Sequence, residues 1–571
     1  MSWKIKNKKE LFPIDLKEKY SQIILNLLAN RGIKNADEIK KYFDFDYDSD
    51  LGNPFDIIGM EKAVDRVIQA KEKKEKVAIF GDYDADGVSA SAVLYEAFAS
   101  LNFDNNVICY IPDRQTEGYG LNIQAIEYLH KKKITLIVTV DCGITNYQEV
   151  EKAKEMGMDI IITDHHQVPA QIPKACAVIN PNIPNSGFKF KDLAGVGVAF
   201  KFAQALLEKV GNEEKEQIKW ALDLTAIGTI ADCVPLLGEN RVLVKYGLLV
   251  LSKTKRKGLL EMFKVGRINI SENEIPDAHK VAFQISPRIN AAGRMDHANT
   301  AYQLLIEKDI VTARSLALEI EEKNQRRQKI TSEIFREVQI LADRSFKEKK
   351  FIFAESPHWP IGVLGLVAGK IAGEYKKPTI ILRRQEKELV GSLRSIPEVN
   401  IIENLEKCSK LLIKFGGHPQ AAGISLKAEN LKKFYEKMSS LVEAELAKKE
   451  IVVNLDIDIE MNVKDINWEL MADLKKMEPF GVGNPEPVFL VRNMLIKDLK
   501  IVGNGQKHWK LSLQDEAGSP KIFDAIGFSL VKKFPNLKKN DKIDIVFNLL
   551  EDEWNGNHKI QLKLIDIKLS V

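Results

Sequence analysis

The stretch that most constrains this chain is Val77-Ala78-Ile79-Phe80-Gly81-Asp82-Tyr83-Asp84-Ala85-Asp86-Gly87, a short apolar run that ends in three carboxylates at alternate positions. A glycine comes next, and Val88–Ala99 then takes up a helical rhythm. Crowded carboxylates disfavour one another's ionisation, so a cation is the simplest reason to gather three of them. An isolated Asp-x-Asp-x-Asp is also what a solvated acidic turn looks like. Residues further along the chain decide between the two.

From Val77 to about Pro235 apolar runs alternate with helical patterns, which predicts an α/β fold with a mostly parallel sheet. The expected strands are Val77–Phe80, Val107–Ile111, Ile134–Val140, Asp159–Thr163 and Ala175–Ile179. The first ends at Asp82, Asp84 and Asp86, the third at Asp141-Cys142-Gly143 and the fourth at Asp164-His165-His166. Ligands of open α/β sheets bind at the carboxyl ends of the strands, so these segments are expected to meet on one rim. A further acid, Asp232, closes the apolar stretch Ala226–Ala231. The chain has nine histidines, which makes an adjacent pair at a strand end uncommon. Imidazole among several carboxylates suits manganese, and such mixed sites also take iron or zinc.

At 571 residues the chain is long enough for about three or four domains. A net charge of +4 is nearly neutral at this length, so any polyanion would have to be held in a local groove. The five cysteines form no Cys-x-x-Cys pair, which fits reduced thiols and no zinc knuckle. No leader-like apolar segment and no membrane-length run is visible, and a cytoplasmic protein is expected.

The expected organisation is a helical extension over residues 1–55, a metal-bearing domain over 56–305 and a long helix over 306–347. A second α/β module over 348–450 and a β domain over 451–571 complete it. The extension carries candidate helices Tyr20–Arg31 and Asp37–Tyr42. The long helix rests on the absence of Gly and Pro between Asp309 and Phe346, and its geometry suggests a rigid spacer of roughly 50 Å. Its Glu321–Arg327 segment is a candidate wall for a strand channel. Short alternating strands after Ile451 predict a small β-barrel of the OB type. Trp509, Phe523, Phe528 and Trp554 are candidate base-stacking rings there, with Lys507, Lys510 and Lys521 as phosphate contacts; Trp509 and Lys510 are preferred.

The order Asp-x-Asp-x-Asp-Gly, Asp-Cys-Gly, Asp-His-His, Ala-Asp resembles the DHH phosphoesterase superfamily. Ile111-Pro112-Asp113-Arg114, Glu117-Gly118-Tyr119-Gly120, Leu193–Phe200, Gly238-Glu239-Asn240-Arg241 and Pro287–Arg294 are similar to its RecJ branch. Gly391–Ser395 and Phe415–Gly423 resemble a DHHA1 substrate-binding module, and Glu478–Pro485 resembles the lead into the family's OB-fold. The resemblance implies a DHH domain joined by the long helix to a DHHA1 domain, then an OB-fold barrel. It further implies two divalent cations, Mn²⁺ favoured and Mg²⁺ possible. Asp82, Asp84 and Asp141 would hold one; Asp86, Asp141, His165 and Asp232 would hold the other, leaving His166 to meet the scissile phosphate. Arg394, Ser392 and Ser395, with Arg114 and Arg288, would grip a terminal phosphate. Asn290, Arg294, Gly416, Gly417 and His418 are further candidate substrate contacts.

The activity so implied is 5′-to-3′ exonucleolytic release of 5′-mononucleotides from single-stranded DNA, in repair and recombination. A single-stranded-DNA-binding protein and a RecQ-like helicase are the implied protein partners. A DHH phosphodiesterase of short RNA or cyclic dinucleotides is an alternative, against which the barrel and long helix argue. A non-catalytic DNA-binding replication factor is another; loss of ligands marks that branch, and here every ligand position is filled.

Overall fold

A computed structural model describes residues 2–6, 12–103, 106–211, 216–272, 274–447, 454–503, 505–516, 521–552 and 558–570. The chain divides into two compact units: Leu51–Val234 with Gly238–Ile451, and Met1–Asp50 with Pro235–Leu237 and Val452–Val571.

The larger unit begins with a five-stranded sheet in the order Val107–Tyr110, Val77–Phe80, Leu136–Val140, Asp159–Thr163, Ala177–Ile179. Every pairing is parallel. Val77–Phe80 and Leu136–Val140 are buried throughout, because helices cover both faces and leave no solvated side to alternate with. The chain leaves Val77–Phe80 for the strand on one side and returns to Leu136–Val140 on the other. Between those two strands the order reverses, and the crevice outside their carboxyl ends is where such sheets place ligands.

The helix Ile310–Ser345 spans 36 residues, as the absence of breakers predicts. It is not a free spacer. Ala313, Ala317, Ile320, Asn324, Thr331, Ile334, Val338 and Ala342 are buried along it at helical spacing. The helix packs on Lys257–Gly266 and Ser286–Met295 and then on Ile361–Tyr375, so it is a core element common to both halves of the unit. Beyond it lies a mixed sheet ordered Lys414–His418, Ala421–Lys427, Glu388–Arg394, Thr379–Arg384, Ile352–Ser356.

In the smaller unit Phe489–Val502, His508–Asp515, Ile522–Gly527, Lys559–Leu569 and Lys542–Asp552 pair in that order, and the last returns to the first. This closed ring is the expected barrel. Residues before Asp50, read from the sequence as a helical extension, belong to this unit. Ser2–Ile5 pairs in parallel with Asn454–Ile457. Ile24, Leu25, Leu27 and Leu28 on the helix Gln22–Asn30 are fully buried in one core with Met471, Leu474 and the barrel interior. Three short helices cannot bury such a face alone. Among the described residues no helix is long and apolar enough to cross a membrane.

Candidate active site

Three carboxylates leave the end of Val77–Phe80 in different directions because a helix starts among them. Asp84 caps the helix Ala85–Ser100, its Oδ1 accepting from the amides of Asp86 (2.9 Å) and Gly87 (3.1 Å). Asp86, one residue into that helix, instead accepts from the amides of Gly195 (2.7 Å) and Val196 (2.9 Å), the first of helix Gly195–Val210. Helix N-termini carry partial positive charge, so the carboxylate is held where an anion is stabilised. Asp141 follows its strand with φ +62°, a left-handed conformation that turns it back to the rim. Gly195 permits this approach: a Cβ there would lie 2.4 Å from Asp141 Oδ1.

Asp164 is fully buried and lies behind the histidines. Its Oδ1 accepts from the amides of His165 (2.8 Å) and His166 (3.1 Å) and lies 2.7 Å from His166 Nδ1, while Oδ2 accepts from Ile144 N at 3.0 Å. Burial works against charge on His166, but the bond and charge of Asp164 prevail and lift its imidazolium to about 9. Burial first, and then His166, push His165 down to about 4, so it stands neutral as a ligand must. Tyr119 adds a hydroxyl 3.1 Å from His166 Nδ1 and donates to the Asp141 carbonyl at 3.0 Å. Asp164 and Tyr119 are positioning groups absent from the sequence-derived candidates; the tripeptide and the Glu117–Gly120 motif were the available signals.

Seven expected residues therefore meet. Asp82, Asp84 and Asp141 present ligand atoms within 4.8 Å of one another, as do Asp86, His165 and Asp232. Asp141 with His165 and His166 forms a third such group. His165 Nε2 lies 3.1 Å from Asp141 Oδ1 and 3.7 Å from Asp232 Oδ2, so Asp141 stands between the two sets. Asp82 Oδ1, Asp141 Oδ1 and His165 Nε2 are buried without a hydrogen-bond partner. Burial, then neighbouring carboxylates, raise Asp82, Asp86 and Asp141 well above the usual carboxylate range, and Asp232 to about 7. Partnerless acceptors in an acid cluster are what divalent cations would complete. The donor set fits two of them.

The cavity in front of the acids has a volume of about 290 Å³, and Arg114, Asn290, Arg294 and His166 line its other sides. Arg114 lies over the Tyr83 ring, 4.7 Å from its centre. Arg294 donates to the Gly362 carbonyl at 3.2 Å; burial, with Arg114, Arg327 and Arg394 nearby, pushes it down to about 9. Arg394 is held by Ser392 Oγ (2.9 Å) and the Leu393 carbonyl (2.8 Å). Arg327, at the end of the Glu321–Arg327 segment expected to line a strand channel, has a buried Nε without a partner. The arginines face the acids across the cavity, so a phosphate between them would meet cationic groups on the side away from the carboxylates.

Arg288 requires a correction. Its guanidinium is spent on Glu321 (2.7 Å) and the carbonyls of Gln284 (2.6 Å) and Gly266 (3.2 Å), which ties its helix to the long helix. The Ser395 hydroxyl donates to the Val399 carbonyl at 2.8 Å and that of Ser392 to the Ala422 carbonyl at 3.4 Å. Asn290 lines the cavity and accepts from Ala85 N at 3.0 Å, bracing the acidic turn. Gly416, Gly417 and His418 lie exposed on the edge strand Lys414–His418; a Cβ at Gly416 would meet open space, and Gly417 has φ +145°.

Trp509 also requires a correction. It is 5% exposed inside the barrel and donates to the Phe534 carbonyl at 3.0 Å, because Trp509, Leu511 and Leu513 share the inward face of their strand. Phe523 is likewise core, and Lys521 donates to the Ile466 carbonyl at 2.7 Å. Lys510 points outward beside Lys500, and Lys507 is exposed. The exposed ring is Phe528, at 54%, edge-on to His508. Trp554 lies outside the described residues.

Comparison with known proteins gives three family matches: the DHH family N-terminal domain over residues 76–229, the DHHA1 domain over 348–444 and the RecJ OB domain over 457–566. The single-stranded-DNA-specific exonuclease RecJ of Bacillus subtilis is 37% identical over 96% of this chain and 68% of its own length. The protein of the same name from Haemophilus influenzae is 32% identical over 98% of each chain. The crystal structure of RecJ from Thermus thermophilus in complex with Mn²⁺ superposes with a TM-score of 0.83 and 26% identity, covering 100% of this chain and 80% of that one.

Proposed function

Since this chain belongs to the RecJ family of single-stranded-DNA-specific exonucleases, we propose that it hydrolyses single-stranded DNA from the 5′ end, one mononucleotide at a time. The observation that carries the reading is the pair of ligand sets around Asp141, with three buried acceptors unpartnered, opposite a rim of arginines. When bound there, two divalent cations, Mn²⁺ before Mg²⁺, supply an activated water and neutralise charge on the phosphoryl group and leaving oxygen. Asp82, Asp84, Asp86, Asp141, His165 and Asp232 would be the ligands.

The chain's own groups do the rest. His166, oriented by its bond to Asp164, faces the scissile phosphate. Arg114, Arg294, Arg327 and Arg394, with Ser392, hold the terminal phosphate, and the exposed Gly416–Gly417 edge lets backbone approach it closely. A held chain end fixes the distance to the cut and makes the enzyme an exonuclease. The closed barrel is the module for strand further from the end, with Phe528 and Lys510 rather than Trp509 as contacts. Recruitment by a single-stranded-DNA-binding protein and a RecQ-like helicase, in the cytoplasm, completes the proposal.

Single-stranded and duplex DNA labelled at either end, incubated with and without Mn²⁺, tests it. Rapid release of label from the 5′ end of the single strand, dependent on metal, is expected. Release from the 3′ end first, or equal attack on duplex, would refute it.

A further inference from the structure

The helix that lends Asn290 and Arg294 to the cavity, Ser286–Met295, is entered through a π-helical turn, Val281–Ile285. Such turns are rare and concentrate at functional sites. This one packs against the helix Leu222–Ala231, at whose end stands Asp232. On its outer side Phe283 is 68% exposed, more than any other aromatic side chain among the described residues. His279, one turn earlier, stacks on it with ring centres 4.4 Å apart and planes 30° from parallel.

Pro287, Asn290 and Arg294 come after Phe283 at four, seven and eleven residues, spacings that return to roughly the same side of a helix. Pro287, Asn290 and Arg294 are half-buried, whereas Ile285, Ile289 and Ala292 on the other side are buried. A partly accessible stripe thus runs from the acid-lined cavity to Phe283, about 16 Å at the rise of an α-helix. A flat ring in water, braced by a second ring, suits the face of a nucleobase. Every base offers such a face whatever its sequence.

We propose that Phe283, backed by His279, is a stacking platform for an unpaired base of the substrate strand, a few nucleotides from the scissile bond. This rests on the exonuclease reading above. Phe283→Ala is compared with the parent enzyme, in Mn²⁺, on a long 5′-phosphorylated single strand and on a 5′-phosphorylated dinucleotide. KM for the long strand rises about tenfold while dinucleotide hydrolysis is unchanged, and Phe283→Trp restores the parent value. A single abasic site walked along the strand raises KM most at one position in the parent enzyme, and that peak disappears in Phe283→Ala. Equal losses on both substrates, no loss on either, or an abasic peak that survives the substitution would overturn the platform. Without metal, a strand carrying 2-aminopurine at the peak position is quenched on binding to the parent protein and not to Phe283→Ala. This readout judges stacking even where nothing is cut, so failure of the platform and failure of the exonuclease reading are told apart.

Discussion

The rim of the parallel sheet and the interior of the barrel bury their most telling side chains to the same depth, for opposite reasons. Asp82, Asp86 and Asp141 are 4%, 1% and 3% exposed; Trp509, Phe523 and Phe547 are 5%, 2% and 0% exposed. Burial of the rings adds apolar area and stabilises the barrel. Burial of the acids does the reverse, because each must lose hydration or its charge. A fold tolerates the second arrangement where something absent from the polypeptide is to be bound. Rim substitutions should therefore cost activity and spare stability, while substitutions inside the barrel should do the opposite.

The largest expected effect is that of Asp141→Ala, which removes the carboxylate between both ligand sets. Loss of several kcal/mol of charge stabilisation corresponds to about a thousandfold or more in single-strand hydrolysis. In chelator, Asp141→Asn should unfold at a higher temperature than the parent, since repulsion is relieved; a lower unfolding temperature would break the comparison. Next, Gly195→Ala places a methyl group 2.4 Å from Asp141 Oδ1 and should weaken Mn²⁺ binding about ten- to a hundredfold, read by calorimetry. Trp509→Ala should destabilise its unit by about 3–5 kcal/mol in denaturant unfolding, with rim chemistry on a dinucleotide intact. The smallest effect is expected of Phe528→Ala: long-strand binding weaker by about fivefold in a fluorescence titration, and no shift in unfolding.

The same contrast explains what the sequence could tell. Acids at strand ends are legible because nothing in a core calls for them, so Asp82, Asp84, Asp86, Asp141, His165, His166 and Asp232 stand out from the chain alone. Aromatic rings serve core and surface alike. For Trp509 the alternation with Leu511 and Leu513 already placed it on the inward face, a signal outweighed by its appeal as a stacking ring. Arg288 reads like any other arginine of its motif, since its capture by Glu321 depends on how the long helix packs against it. The pairing of Ser2–Ile5 with Asn454–Ile457 joins segments more than 400 residues apart, and no local pattern reveals so distant a partner. Asp164 reads as one more acid of the cluster, and only the direction of its bonds makes it the support of His166.

Anomalous diffraction from crystals of the protein soaked in Mn²⁺ tests the central claim most directly. Two peaks are predicted, one among Asp82, Asp84 and Asp141 and one among Asp86, Asp141, His165 and Asp232. A rim without anomalous density, or manganese bound only elsewhere, would contradict it.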